Sequence, residues 1–136
     1  MTTTYLPEIE VAPLRGVRIW AGRGLTAIAA LFLAMDATMH LLRPAMAVEG
    51  TVKLGFSAAV LLPLGIIQVV SLILYLYPRT AALGALIWTG YLGGAVATHV
   101  RIGDPLFTHI LMPVYVAALL WAGLALRDRR VFALFK

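Results

Sequence analysis

At 136 residues, with 62% hydrophobic and only 12% charged side chains, the chain lacks the charge that solvates a water-soluble domain, where about a quarter of residues are charged. Its mean hydropathy is +0.94. The net charge of +5 comes from basic residues at the ends of apolar runs, not from a basic stripe, so no nucleic-acid partner is expected. Cysteine is absent, so the chain itself supplies neither a dithiol nor thiolate ligands for an iron–sulfur cluster.

Residues 1–18 read as an N-terminal tail, since MTTTYLPEIEVAP mixes polar, acidic and proline positions without periodicity. Arg15, Arg18 and Arg23 ahead of an apolar run, with Ala45-Met46-Ala47 behind it, imitate a secretory leader. The run is too long for that, and Arg43-Pro44 intervenes, so no cleavage is expected. A first span is predicted over 19–42, stopped by Arg43-Pro44 because proline disfavours helix in the residue before it. Residues 45–56 form a connector whose Val48, Val52, Leu54 and Phe56 are spaced to lie on a membrane surface. A second span follows over 57–77, with Ser57 as its cap, then the joint Pro78-Arg79 and a third span over 80–99. After a turn at Arg101 to Asp104, a fourth span is predicted over 105–126, with Asp104 as cap and Pro105 in the first helical position. Each run is about 20 residues, enough for a hydrocarbon core of roughly 30 Å. Joints this short make consecutive helices antiparallel neighbours. The fold class is therefore all-α: an integral membrane antiparallel four-helix bundle over 19–130, with a C-terminal tail at 131–136. With both termini on one side, eight of the eleven Lys and Arg residues share that side, which predicts a multi-pass protein of the cytoplasmic (inner) membrane with both tails in the cytoplasm.

The lipid bilayer is then the first partner, and polar groups inside the spans become the candidates for function. An ionised Asp in hydrocarbon costs about 2.5–3.5 kcal/mol, so Asp36 should face the bundle interior with a partner. His40, four residues on, shares its helix face and is placed to exchange a proton with it. Gln68, near the middle of the second span, is suited to orienting Asp36 or a ligand. His99 and Arg101 close the third span and His109 opens the fourth, so all three histidines are expected at similar depth. Pro63 and Pro113 should bend their helices and open a pocket there. The candidate ligand-binding residues are accordingly Asp36, His40, Gln68, His99, Arg101 and His109. Asp36 and His40 are the proton-relay candidates, and no catalytic residue is assigned. The histidine spacing is diagnostic of neither zinc nor haem, so neither is expected and no metal site is assigned. Met35, Met39 and Met112, the tryptophans and the tyrosines read mainly as packing or interface groups. Gly90 and Gly94 offer a small-xxx-small face for close helix packing or for a homo-oligomer.

The string GYLGGAVATHVRIGDPLF at 90–107 resembles the DoxX-like family of small four-helix membrane proteins. The resemblance extends to Asp36-xxx-His40-Leu41-x-Arg43-Pro44, to Tyr77-Pro78-Arg79-Thr80 and to Leu126-Arg127-Asp128-x-Arg130, covering residues 20 to 135 or so. It implies that Asp36, His99 and Arg101 occupy the family's polar positions. At His40 the family commonly has Lys, and at Gln68 commonly Glu, so here a fixed ion pair is replaced by a titratable ring and a neutral amide. The family takes its name from a subunit associated with a thiosulfate:quinone oxidoreductase, which implies a membrane partner of a redox enzyme subunit.

Together these readings predict a pocket in the outer leaflet that binds a quinone, or another small amphipathic molecule, for a membrane redox system. Electrons would come from a partner, since no cofactor is expected in the chain. The alternative is a noncatalytic binding, transport or assembly subunit whose polar cluster is structural.

Overall fold

In hydrocarbon no water is available to a free N–H or C=O, so each long apolar run must satisfy its backbone within itself and becomes a helix. The computed structural model describes residues 12–131; the rest of the expected tails, 1–11 and 132–136, lies outside the described residues. Among the described residues there are five α-helices: α1 (Ala12–Leu42), α2 (Ala45–Lys53), α3 (Leu61–Leu76), α4 (Ala81–Ile102) and α5 (Met112–Arg127). A 3₁₀ turn, Ala58–Val60, leads into α3, and a π-helical turn, Leu106–Ile110, leads into α5. Among the described residues four segments are long and apolar enough to cross a membrane: Arg15–Leu42, Ala58–Leu76, Ala81–Ile102 and Leu106–Arg127. The architecture is the all-α membrane bundle expected from the sequence.

Local chemistry sets the helix ends. α1 starts earlier than the expected span because Pro13 fits a first turn and nothing breaks the helix before Arg43-Pro44. Arg43 adopts φ 50°, and its N–H donates to the Met39 carbonyl at 3.1 Å, closing the helix. The expected surface connector forms α2, none of whose residues is buried. Ser57 caps as expected, its Oγ accepting the Ala59 N–H at 3.3 Å. Tyr77 is extended ahead of Pro78 and stops α3. At the end of α4, Gly103 turns left-handed at φ 72°, its N–H donates to Val100 and the Asp104 N–H donates to His99, both at 3.1 Å. This is a Schellman closure, for which glycine is suited because it lacks a Cβ.

The prolines correct two expectations. Pro105 is the residue before the π-helical turn, whose first helical position is Leu106, and Asp104 does not cap it. Pro63 and Pro113 lie in the first turns of α3 and α5, where their missing N–H is needed least, so they start helices instead of bending them.

α1 packs on α3 and α5, and α4 packs on the same two helices, so α1–α4 and α3–α5 are the diagonals of a four-cornered bundle. The inward faces repeat every three or four residues: Leu61, Gly65, Gln68, Ser71 and Tyr75 on α3; Ala81, Ala85, Trp88 and Leu92 on α4; Val116, Leu120 and Leu124 on α5. Toward the end that carries the chain termini, glycines let backbones meet. A Cβ at Gly84 would collide with the Tyr75 backbone, one at Gly123 with Thr26, and one at Gly22 with Arg127. Ile28, Leu31, Ile73, Leu86 and Phe107 point outward, as lipid-facing side chains do.

Candidate functional site

Asp36 finds its partner on the neighbouring span. Gln68 Nε2 donates a short hydrogen bond to Asp36 Oδ2, so α3 supplies the group that satisfies the acid of α1. His40 behaves differently from expectation. Its Nδ1 donates to the main-chain carbonyl of Asp36 at 2.9 Å, while the carboxylate Oδ1 stands 3.8 Å away. A carbonyl only accepts, so Nδ1 carries a proton. Nε2 faces the Tyr91 hydroxyl of α4 at 3.4 Å, with the two rings edge to face at 6.4 Å. The Tyr91 phenol also lies against Asp36 and Gln68. Gly65 makes the approach possible, since a Cβ there would sit 3.2 Å from the Cβ of His40.

The cluster thus reaches across the α1–α4 diagonal. Gln68 and Tyr91 stand near the middle of their spans, whereas Asp36 is six residues, roughly 9 Å of rise, from the end of α1. The reason is that α1 stops short at Leu42 and its chain turns off into α2. Gln68 is 1% exposed and its Oε1 has no hydrogen-bond partner; the Trp88 indole N–H, one turn from Tyr91, is likewise buried and unpartnered. The Asp36 side chain keeps 38% of its surface accessible, so the cluster is not sealed.

The other candidates form a second group. His99 Nδ1 is 2.6 Å from Asp104 Oδ2, and the His109 ring meets the His99 ring edge-on at 5.8 Å. His109 Nδ1 shares a 2.8 Å contact with Thr108 Oγ1. Tyr91 and His99 are eight residues apart, about 12 Å along α4, so His40 does not share the depth of the other two histidines. Among the described residues no three His, Asp or Glu side chains gather as a metal-holding group. Arg101 goes elsewhere again: its Nη2 donates to the Leu54 carbonyl and its guanidinium lies 5.8 Å from the Phe56 ring, tying α4 to the end of α2. Met35 and Met112 face outward. Gly90, Gly93 and Gly94 have open space beside them, so the close packing expected of that stretch within the chain is made instead by Gly22, Gly84 and Gly123.

Two participants were not anticipated. Tyr91 had a visible signal, a phenol at the centre of a span and not at its end, where interfacial aromatics belong. Asp104 had one as well: the residue after a glycine that closes a helix is returned toward the last turn.

Fold and site together define a small four-span membrane protein with one mid-bundle cluster of hydrogen-bonding and ionisable side chains. The model of the DoxX-like family matches residues 24–123, most of the chain, and the protein belongs to that family. No curated protein and no solved structure shows significant similarity to it.

Proposed function

We propose that the protein is a membrane-embedded binding subunit that admits a small amphipathic molecule, a quinone by preference, to the Asp36–His40–Gln68–Tyr91 cluster and serves a membrane redox system. The observation that carries this reading is the buried, unpartnered Gln68 Oε1 beside a carboxylate still partly accessible. Buried amide oxygens are nearly always hydrogen-bonded, and a hydroxyl-bearing ligand supplies a donor here. The Trp88 N–H is a matching donor for a ligand carbonyl. Asp36 and His40 both stand against the Tyr91 hydroxyl, an arrangement suited to proton transfer accompanying quinone reduction. The electrons come from a partner enzyme. The bias of basic residues supports an inner-membrane location with both termini in the cytoplasm.

The test is a titration with decylubiquinone followed by thermal unfolding of the purified protein. Wild type is expected to gain stability with ligand, and Asp36→Asn to lose that gain while remaining folded. No gain in wild type sinks the proposal. A variant that is merely less stable, with no ligand effect in either protein, favours the second reading: a noncatalytic binding, transport or assembly subunit with a structural cluster. The exposed Gly90, Gly93 and Gly94 face supports that reading, because it suits a homo-oligomer or another subunit.

A further inference from the structure

At the end of the bundle that carries the termini, far from the Asp36 cluster, two adjoining clefts of about 190 and 250 Å³ open between the ends of α1, α5 and the α3–α4 joint. They share Pro78, Leu124 and Asp128. Arg79 and Arg130 line one and Arg23 and Arg127 the other, so four arginines share the two clefts with a single carboxylate, that of Asp128. That carboxylate is already engaged, since Asp128 Oδ1 accepts the Arg130 N–H at 2.9 Å. Among the described residues the ion pairs are Asp36–His40 and His99–Asp104, and none of these arginines takes part in one.

Their observed contacts are with neutral groups. Arg127 Nη2 donates to the Tyr75 carbonyl at 2.7 Å, its guanidinium lies 5.0 Å from the Tyr75 ring, and its Nε is buried without a partner. Arg23 lies over the Trp20 ring at 5.2 Å, and Arg79 donates to the Tyr77 hydroxyl at 3.3 Å. Four arginines against one aspartate, over an apolar floor of Leu124 and Pro78, leave the paired clefts net positive and form an anion site. Its position at the common ends of three spans puts it at the level of lipid headgroups. The clefts are smaller than the roughly 300–1,000 Å³ of drug-sized ligand pockets, which suits a headgroup fragment.

We infer that this paired cleft binds the phosphate of an anionic phospholipid, with Arg79 and Arg130 clasping it from one side and Arg23 and Arg127 from the other. The planar guanidinium fork is the side chain best shaped for phosphate oxygens. The inference is independent of the quinone reading.

The experiment is a titration of the purified full chain in neutral detergent, with thermal unfolding as readout. The probes are dioleoyl-phosphatidylglycerol, dioleoyl-phosphatidylcholine and inorganic phosphate. The glycerol lipid is expected to stabilise saturably, and the choline lipid and inorganic phosphate are not. The exposed-side-chain double variant Arg79→Gln/Arg130→Gln should weaken the lipid's apparent affinity by about tenfold or more. Arg43→Gln/Lys53→Gln, at the opposite end, should bind as wild type does. Equal stabilisation by inorganic phosphate overturns the lipid assignment. Equal stabilisation by both lipids, no stabilisation by the anionic lipid, or full binding by the Arg79→Gln/Arg130→Gln protein overturns the site. A double variant with an unchanged unliganded transition excludes misfolding as the cause of a lost response.

Discussion

The two ends of the bundle solve the same packing problem in opposite ways. Near the termini, Gly22, Gly84 and Gly123 bring backbones into direct contact, and Tyr75, fully buried, donates to the Leu120 carbonyl at 2.9 Å. Arg127 likewise donates to main chain, at the Tyr75 carbonyl. Toward the other end, α1 stops early, the glycines of α4 face outward, and the interior is filled by Asp36, His40, Gln68 and Tyr91, which bond mostly to one another. Close backbone packing leaves no room for a guest between those helices and only shallow clefts at their ends, whereas a side-chain network can exchange partners. The difference teaches where rigidity and where chemistry are to be sought in this chain.

The comparison breaks first at the glycines. Gly84→Val should cost about 3 kcal/mol or more, because the added carbons meet backbone that cannot yield, while Gly94→Val should stay within about 1 kcal/mol. Denaturant unfolding in detergent measures both, and equal losses would erase the distinction between the two halves. Next comes the acid's partner. Gln68→Leu should destabilise by about 2 kcal/mol, since it leaves a carboxylate unsatisfied, and Asp36→Leu/Gln68→Leu should return to within about 1 kcal/mol of wild type. A double variant as unstable as the single one would show that the pair is not a self-contained unit. The smallest effect sharpens the contrast between the two tyrosines. Tyr75→Phe should lose about 1 kcal/mol, and Tyr91→Phe, whose bond to His40 is long, about half of that. If Tyr91→Phe proves the costlier, the network is stiffer than its geometry indicates.

The spans were legible because lipid makes length and apolarity nearly sufficient: Arg43-Pro44, Pro78 and Gly103 punctuate runs that have no other fate. Asp36 was legible for the same reason, as a charge that needs a partner, and Gln68 proved to be the group that supplies it. The partnership of Asp36 with His40 was less readable. Spacing puts two side chains on one face, but a histidine at i+4 can equally reach the main-chain carbonyl of residue i, and here it does. The depth of His40 was hidden because nothing in the sequence says that α1 is offset against α4. The pairing of His99 with Asp104 was hidden because an aspartate before a proline reads first as a cap, although Gly103 had already turned it back toward His99.

One property follows from the placement of the two tyrosines. Tyr75 ties α3 to α5 near one end, through its hydroxyl to Leu120 and its carbonyl to Arg127, and Tyr91 ties α4 to α1 farther along, so the two diagonals of the square are braced at different heights. A lattice of four rods braced on both diagonals cannot shear into a rhombus. A molecule that displaces His40 from Tyr91 would unlock only one brace, letting the far corners splay while the Tyr75 end acts as the fulcrum.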